Sequence, residues 1–198
     1  MKKTLVLIAA MTLLLTACAR QTGQGSASYA GESGGESSAS GEKADSFGTP
    51  ESLGREETAS LSASVEGLTE EMPSTLFIGD GFSLYVPDEG WEKTLVSGWR
   101  STDHPDVEIR VETYTGKSKE EVADSISGYA FSPLEDGETR SSGEDGQCLY
   151  LRILEGPGDR VYAVVGEYPE EVEEGFGARL EAIGRSVESN EFASTAKE

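Results

Sequence analysis

The chain has 198 residues, 37 acidic against 16 basic side chains, and a formal charge of -21. That length fits one domain with appendages, and the acid excess excludes a nucleic-acid binder, which needs cationic side chains to displace counterions from phosphates. It also excludes a polybasic membrane-surface protein, and two cysteines are too few for a disulfide framework.

The opening Met1, Lys2 and Lys3 make a short positive region, and residues 5–15 (LVLIAAMTLLL) form an apolar run broken only by Thr12. As a helix, that run spans about 16 Å, short of the ~20 residues that a bilayer core requires. Residues 1–17 therefore read as a signal peptide. Leu15, Thr16, Ala17 and Cys18 then follow as an aliphatic residue, two small residues and a thiol. This string resembles the bacterial lipobox. The resemblance implies diacylglyceryl transfer to the Cys18 sulfur, cleavage after Ala17 and acylation of the new N-terminus, palmitate-type chains included. Two acyl chains anchor stably where one anchors reversibly. The expected location is the extracytoplasmic face of the cell membrane, with the membrane as a partner through lipid on Cys18.

Residues 18–73 carry much of the chain's glycine and serine, with Tyr29 and Phe47 as their aromatics. Such a stretch buries too little apolar surface to offset its chain entropy, so it is expected to be a disordered tether. A coil of that length has an r.m.s. span of roughly 40 Å. Residues 56–72 hold enough Ala, Leu and Glu for a fleeting helix. The folded domain is placed at 74–190, and 191–198 is a frayed tail.

Within 74–190, residues 75–78 and 82–86 flank Gly79, Asp80 and Gly81 and read as a hairpin. A short strand is expected at 95–102, with Trp91 in the turn before it. Residues 107–114 alternate with a two-residue period and give the clearest strand. Ser118 and Glu121 form a capping box for a helix whose apolar face is Val122, Ile126 and Tyr129, ended by Gly128 and the Phe131, Ser132, Pro133 break. Residues 135–146 read as a charged loop with a short edge strand at 138–141. Residues 147–154 and 160–167 make a second hairpin. Pro169 starts the last helix, with Val172, Phe176, Leu180, Ile183 and Val187 as its stripe. The fold class is α+β: a mostly antiparallel sheet of about six strands flanked by two helices.

Residues 81–87 (GFSLYVP), followed by Gly90 and Trp91, look like the opening of PsbP-like domains. Residues 161–165 (VYAVV), then Glu167, Tyr168 and Pro169 and the helix ending at Ser186 and Val187, are similar to that group's final strand and helix. The resemblance covers residues 75–188. It implies an α/β/α sandwich around an antiparallel sheet, and an accessory binding role with no functional motif to transfer.

Chemistry-bearing residues are few. His104, the single histidine, lies between Asp103 and Pro105 and reads as a turn residue rather than a base or metal ligand. Cys148 reads as a small core side chain. Ser194 and Lys197 match S-x-x-K without its partner motifs, a chance match. Gly175, Phe176 and Gly177 fall in a helix pattern, so they are no phosphate loop. Asp103 with Asp106, Glu135 with Asp136, and Glu144 with Asp145 offer oxygen ligands for Ca²⁺ without EF-hand spacing; the ordinary alternative is a solvated acidic surface. Trp91, Trp99, Tyr114 and Tyr129 read first as core and second as a ligand groove, with Tyr114 the best exposed contact. No catalytic set and no cofactor is expected. The leading expectation is a non-enzymatic binding or accessory domain with an envelope protein partner; the alternative is a small-ligand or divalent-cation module.

Overall fold

From Thr58 to Val65, serine alternates with alanine, leucine and valine, and the chain uses that period to build a strand. The structure, a computed structural model, describes residues 47–126, 137–143 and 145–190. The signal peptide, Cys18, tether residues 18–46, Tyr129 and the helix end at Gly128, Glu135, Asp136, Glu144 and the tail with Ser194 and Lys197 lie outside the described residues.

The first described elements correct the tether reading of residues 47–73. Helix α1 (Pro50–Leu53) is capped by Thr49, whose hydroxyl accepts from the Ser52 amide. Strand β1 (Thr58–Val65) then pairs in antiparallel register with β2 (Leu68–Ile78), from Thr58↔Thr75 to Val65↔Leu68. Glu66 (φ 51°) and Gly67 (φ 78°) make the two-residue turn between them, both in the left-handed region that such hairpin turns demand. Residues 56–72 are thus a hairpin, where a fleeting helix was expected. Alternation, not helical spacing, buries Ala63, Met72 and Ser74.

Arg55 fastens this segment. Its side chain is only 7% exposed. Nη1 donates to the Ser83 carbonyl and hydroxyl (3.2 and 2.8 Å), Nη2 donates to the Ser186 carbonyl (2.9 Å), and the guanidinium lies 4.5 Å from the Tyr85 ring centre. The folded unit therefore begins well ahead of residue 74, the boundary expected from composition.

Strand β3 (Phe82–Pro87) joins β2, and a two-residue β10 (Glu188–Ser189) completes a four-stranded sheet in the order β1-β2-β3-β10. The second sheet has six strands in the order β4-β5-β6-β9-β8-β7. They are β4 (Trp91–Leu95), β5 (Gly98–Ser101), β6 (Glu108–Thr115), β7 (Glu138–Ser142), β8 (Gln147–Glu155) and β9 (Arg160–Pro169). Among the described residues, ten strands in two antiparallel sheets replace the single sheet of about six. The expected strand at 95–102 is two strands, with Trp91 inside the first.

Side chains alternate across the six-stranded sheet and make both faces apolar. Tyr150, Tyr162, Val164, Ile109 and Val111 face the four-stranded sheet. Leu149, Leu151, Ile153, Ala163 and Val165 face the other way, onto Val122 and Ala123 of helix α2 (Lys119–Ser125). The α2 start is as its sequence dictates: the Ser118 hydroxyl accepts from the Glu121 amide, and the Glu121 carboxylate accepts from the Ser118 amide. An aromatic seam joins the two sheets, with Phe77 edge-on to Trp99 at 4.9 Å and Phe82 5.5 Å from Tyr162.

The last helical segment is not uniform. A 3₁₀ turn (Glu170–Val172) and a π turn (Glu173–Gly177) precede α3 (Ala178–Arg185). The stripe of Phe176, Leu180, Ile183 and Val187 is buried in the core that faces the four-stranded sheet. Arg152 donates to the carbonyls of Gly184 (2.7 Å) and Val187 (3.1 Å), placing a cation at the negative end of α3.

Candidate binding cleft

Gly90, at φ 78°, turns the chain out of β3 and delivers Trp91 to the start of β4. The π turn widens the helix path and presents Phe176 to the same place. The two rings meet edge to face, 6.4 Å apart at 72°. They border an open cleft of about 480 Å³ between the β2–β3 end of one sheet and β4 of the other. Five carboxylates line it, Glu70, Glu71, Asp88, Glu89 and Asp103, against one guanidinium, Arg179.

The lining is largely pre-set. Arg179 lies 5.0 Å from the Phe176 ring centre and is held by Glu70 at 2.9 Å. Asp88 accepts from the Thr75 hydroxyl at 2.6 Å. Glu71 accepts from the hydroxyls of Ser60 (2.7 Å) and Ser62, and these bonds hold its carboxyl below the usual range. With Arg179 already paired, the charge left to a ligand is negative. A cleft of aromatic faces and carboxylates suits a cationic group on an apolar or aromatic stem.

No family model matches the chain, and no curated protein matches it.

His104 is exposed, with its ring 5.0 Å from Phe176 and its amide donating to the Ser101 hydroxyl at 3.2 Å. It is a turn residue at the cleft margin. Cys148 is 1% exposed, and its thiol lies 3.6 Å from the Ser142 hydroxyl. Burial pushes that thiol up, away from the thiolate a nucleophile needs. Asp103, Asp106 and Asp145 are exposed. Among the described residues, no group of three or more His, Cys, Asp or Glu side chains is placed to hold a metal ion. Trp99 is core, 5% exposed, whereas Trp91 is half-buried and lines the cleft. Gly177 is small for a packing reason: a Cβ there would lie 3.2 Å from the Tyr168 hydroxyl. The sequence reading missed Phe176 and Arg179 as cleft residues. Phe176 carried a helical core signal, and a π turn has no distinctive composition.

Tyr114 departs from the expected exposed contact. It is half-buried against the α2-side core, with its hydroxyl donating to Glu112 at 2.5 Å and Lys117 lying 5.0 Å from its ring centre. Arg110 beside it binds Glu112 at 2.7 Å, Glu167 at 3.1 Å and Glu108 at 3.2 Å. Burial alone raises the Glu112 carboxyl, but the Tyr114 and Arg110 bonds outweigh it, and the net shift is downward. A lowered carboxyl stabilises the fold fully above its unfolded value near 4.5, and that stability is lost as pH falls through the folded value. Arg110→Met is expected to weaken the pH dependence of unfolding below about pH 4.5, read from denaturant midpoints across pH 2–6. An unchanged slope would remove the Arg110–Glu112 pair as a source of acid sensitivity.

Proposed function

We propose that the chain is a lipid-anchored protein of the extracytoplasmic membrane face, whose folded part is a non-enzymatic binding domain serving an envelope complex. The observation that carries this reading is the Leu15, Thr16, Ala17, Cys18 string directly behind an apolar run too short to span a bilayer. The cleft supports the binding role: Trp91 and Phe176 give it apolar faces, its carboxylates outnumber its single arginine, and the buried Cys148 thiol has the Ser142 hydroxyl beside it rather than a base. A PsbP-like affiliation belongs to the same proposal. It is supported by the six-stranded antiparallel sheet with α2 on one face and α3 on the other.

The test is metabolic labelling with a palmitate analogue, followed by membrane fractionation of the native chain and Cys18→Ser. The native chain is expected to carry label and sediment with membranes, and the variant to lose both. An unlabelled native chain, or a variant that sediments as before, would overturn the anchor.

A further inference from the structure

Among the described residues, four strands end the two sheets, and three of them are blunted. Strand β4 carries Glu92 and Lys93 and a register shift before Leu95, β7 carries Glu138 and Arg140, and β10 has two residues. Charged side chains, irregularities and brevity are the usual protections of a sheet edge. Strand β1 has none of them. Its eight residues, TASLSASV, include no charge, no proline and no glycine.

The backbone of β1 offers a regular edge. The Leu76 amide donates to the Glu57 carbonyl at 2.8 Å, one step beyond the Thr58↔Thr75 pair. In an antiparallel ladder such bonded pairs alternate. Ala59, Leu61, Ala63 and Val65 therefore spend their backbone groups on β2, while Thr58, Ser60, Ser62 and Ser64 direct theirs away from the sheet. Ser60, Ser62 and Ser64 are exposed.

That edge forms one wall of a groove of about 800 Å³ whose other wall is the π turn and α3. Ala178 and Ala182, one helical turn apart, line it and leave room for incoming side chains. Its two arginines are already engaged, Arg140 with Glu181 and the Gly177 carbonyl, and Arg185 with Glu138 at 3.0 Å and Glu181 at 2.5 Å. Glu173 and Glu174, on the same wall, make no ion pair among the described residues. Among the described residues, the groove combines unspent strand donors and acceptors, small side chains and uncompensated negative charge.

We propose that β1 receives an extended, basic segment of a partner polypeptide as a further strand of the four-stranded sheet, with Glu173 and Glu174 taking a lysine or arginine side chain. The backbone supplies affinity, and the glutamates select a cationic occupant over the acidic chain itself. The inference rests on the binding-domain reading, but the groove shares no lining residue with the cleft and does not depend on acylation.

The probe is an acetylated, amidated eight-residue peptide alternating lysine and valine, titrated by fluorescence anisotropy into the full chain in detergent. It is expected to saturate, and N-methylation of its four central amides, which keeps its charge, should weaken binding by about ten-fold or more. Ser62→Pro removes an outward amide while leaving the backbone ladder to β2 intact, and should weaken binding similarly, with circular dichroism confirming the fold; Ser62→Ala, which loses only the hydroxyl bond to Glu71, should bind as the native chain does. Glu173→Lys combined with Glu174→Lys tests the charge without altering the strand and should do the same. Binding that survives N-methylation and Ser62→Pro, or no saturation up to about 1 mM, would overturn the proposal. So would a dimer in sedimentation that Ser62→Pro dissolves, since the edge would then belong to a second copy. The Cys18→Ser chain should bind the peptide as the native chain does, so loss of the anchor and loss of this groove are read separately.

Discussion

Arg55→Ala is expected to destabilise the folded domain by about 3 kcal/mol, since charge-assisted hydrogen bonds are each worth roughly 1.5–3 kcal/mol and several are lost together. The guanidinium is nearly buried and spends its donors on the Ser83 carbonyl and hydroxyl and on the Ser186 carbonyl. Removing it leaves those acceptors without their donor, the costly half of breaking a hydrogen bond. It also releases the lead into β1, whose packing through Leu61 and Ala63 depends on a fixed entry. The ion pair with Glu188, at 3.9 Å to a largely exposed carboxylate, adds little. For a domain of this size the loss should lower Tm by roughly 10 °C in calorimetry. Arg55→Lys keeps the charge but not the planar fork, so it should fall between native and alanine. A Tm for Arg55→Ala within about 1 °C of native would show that the segment ahead of β1 is not fastened there.

Gly184→Ala is the second large effect, and it runs against helix propensity. In an open helix this change gains about 1 kcal/mol. Here a Cβ would stand 2.2 Å from Tyr150 Cε1 and 2.5 Å from its hydroxyl. Tyr150 is wholly buried and cannot swing into solvent. Overpacking of this kind costs about 1–3 kcal/mol and sometimes more, so a net loss of about 2 kcal/mol is expected from urea unfolding. Tyr150→Leu in the same chain should make Gly184→Ala nearly harmless, a coupling that a general helix effect would not produce. Equal losses from Gly184→Ala in both backgrounds would remove the contact as the cause.

The strands that the sequence made legible are those with bulky, alternating side chains. Ile109, Val111 and their neighbours in β6 announce a half-buried strand without help, and Ser118 with Glu121 marks the α2 start to the residue. The β1–β2 hairpin shows the opposite case. Its outward positions are Ser60, Ser62 and Ser64 and its inward ones include Ala59 and Ala63, so the alternation is present but with little difference in hydrophobicity. Composition therefore merged it with the glycine- and serine-rich text upstream. Arg55 gave no local sign of its role, because its partners lie 28 and 131 positions away in the chain. The cleft was half legible. Trp91 stood out as an aromatic beside a turn, whereas Phe176 and Arg179 reach it only through a π turn that shifts the helix phase.

Ser83 ties the two ends of the described domain together. Its hydroxyl meets Arg55 at the entry of the fold and the Asn190 side chain at the exit, and the Asn190 amide is bonded to the Gly81 carbonyl beside it. The two ends of the described domain leave from one corner. A pull on the leading segment is therefore met by the Arg55 contacts before it reaches either sheet. A handful of bonds around one serine is thus the expected mechanical fuse of the described domain, and their rupture should be the first event when the chain is pulled by its leading segment.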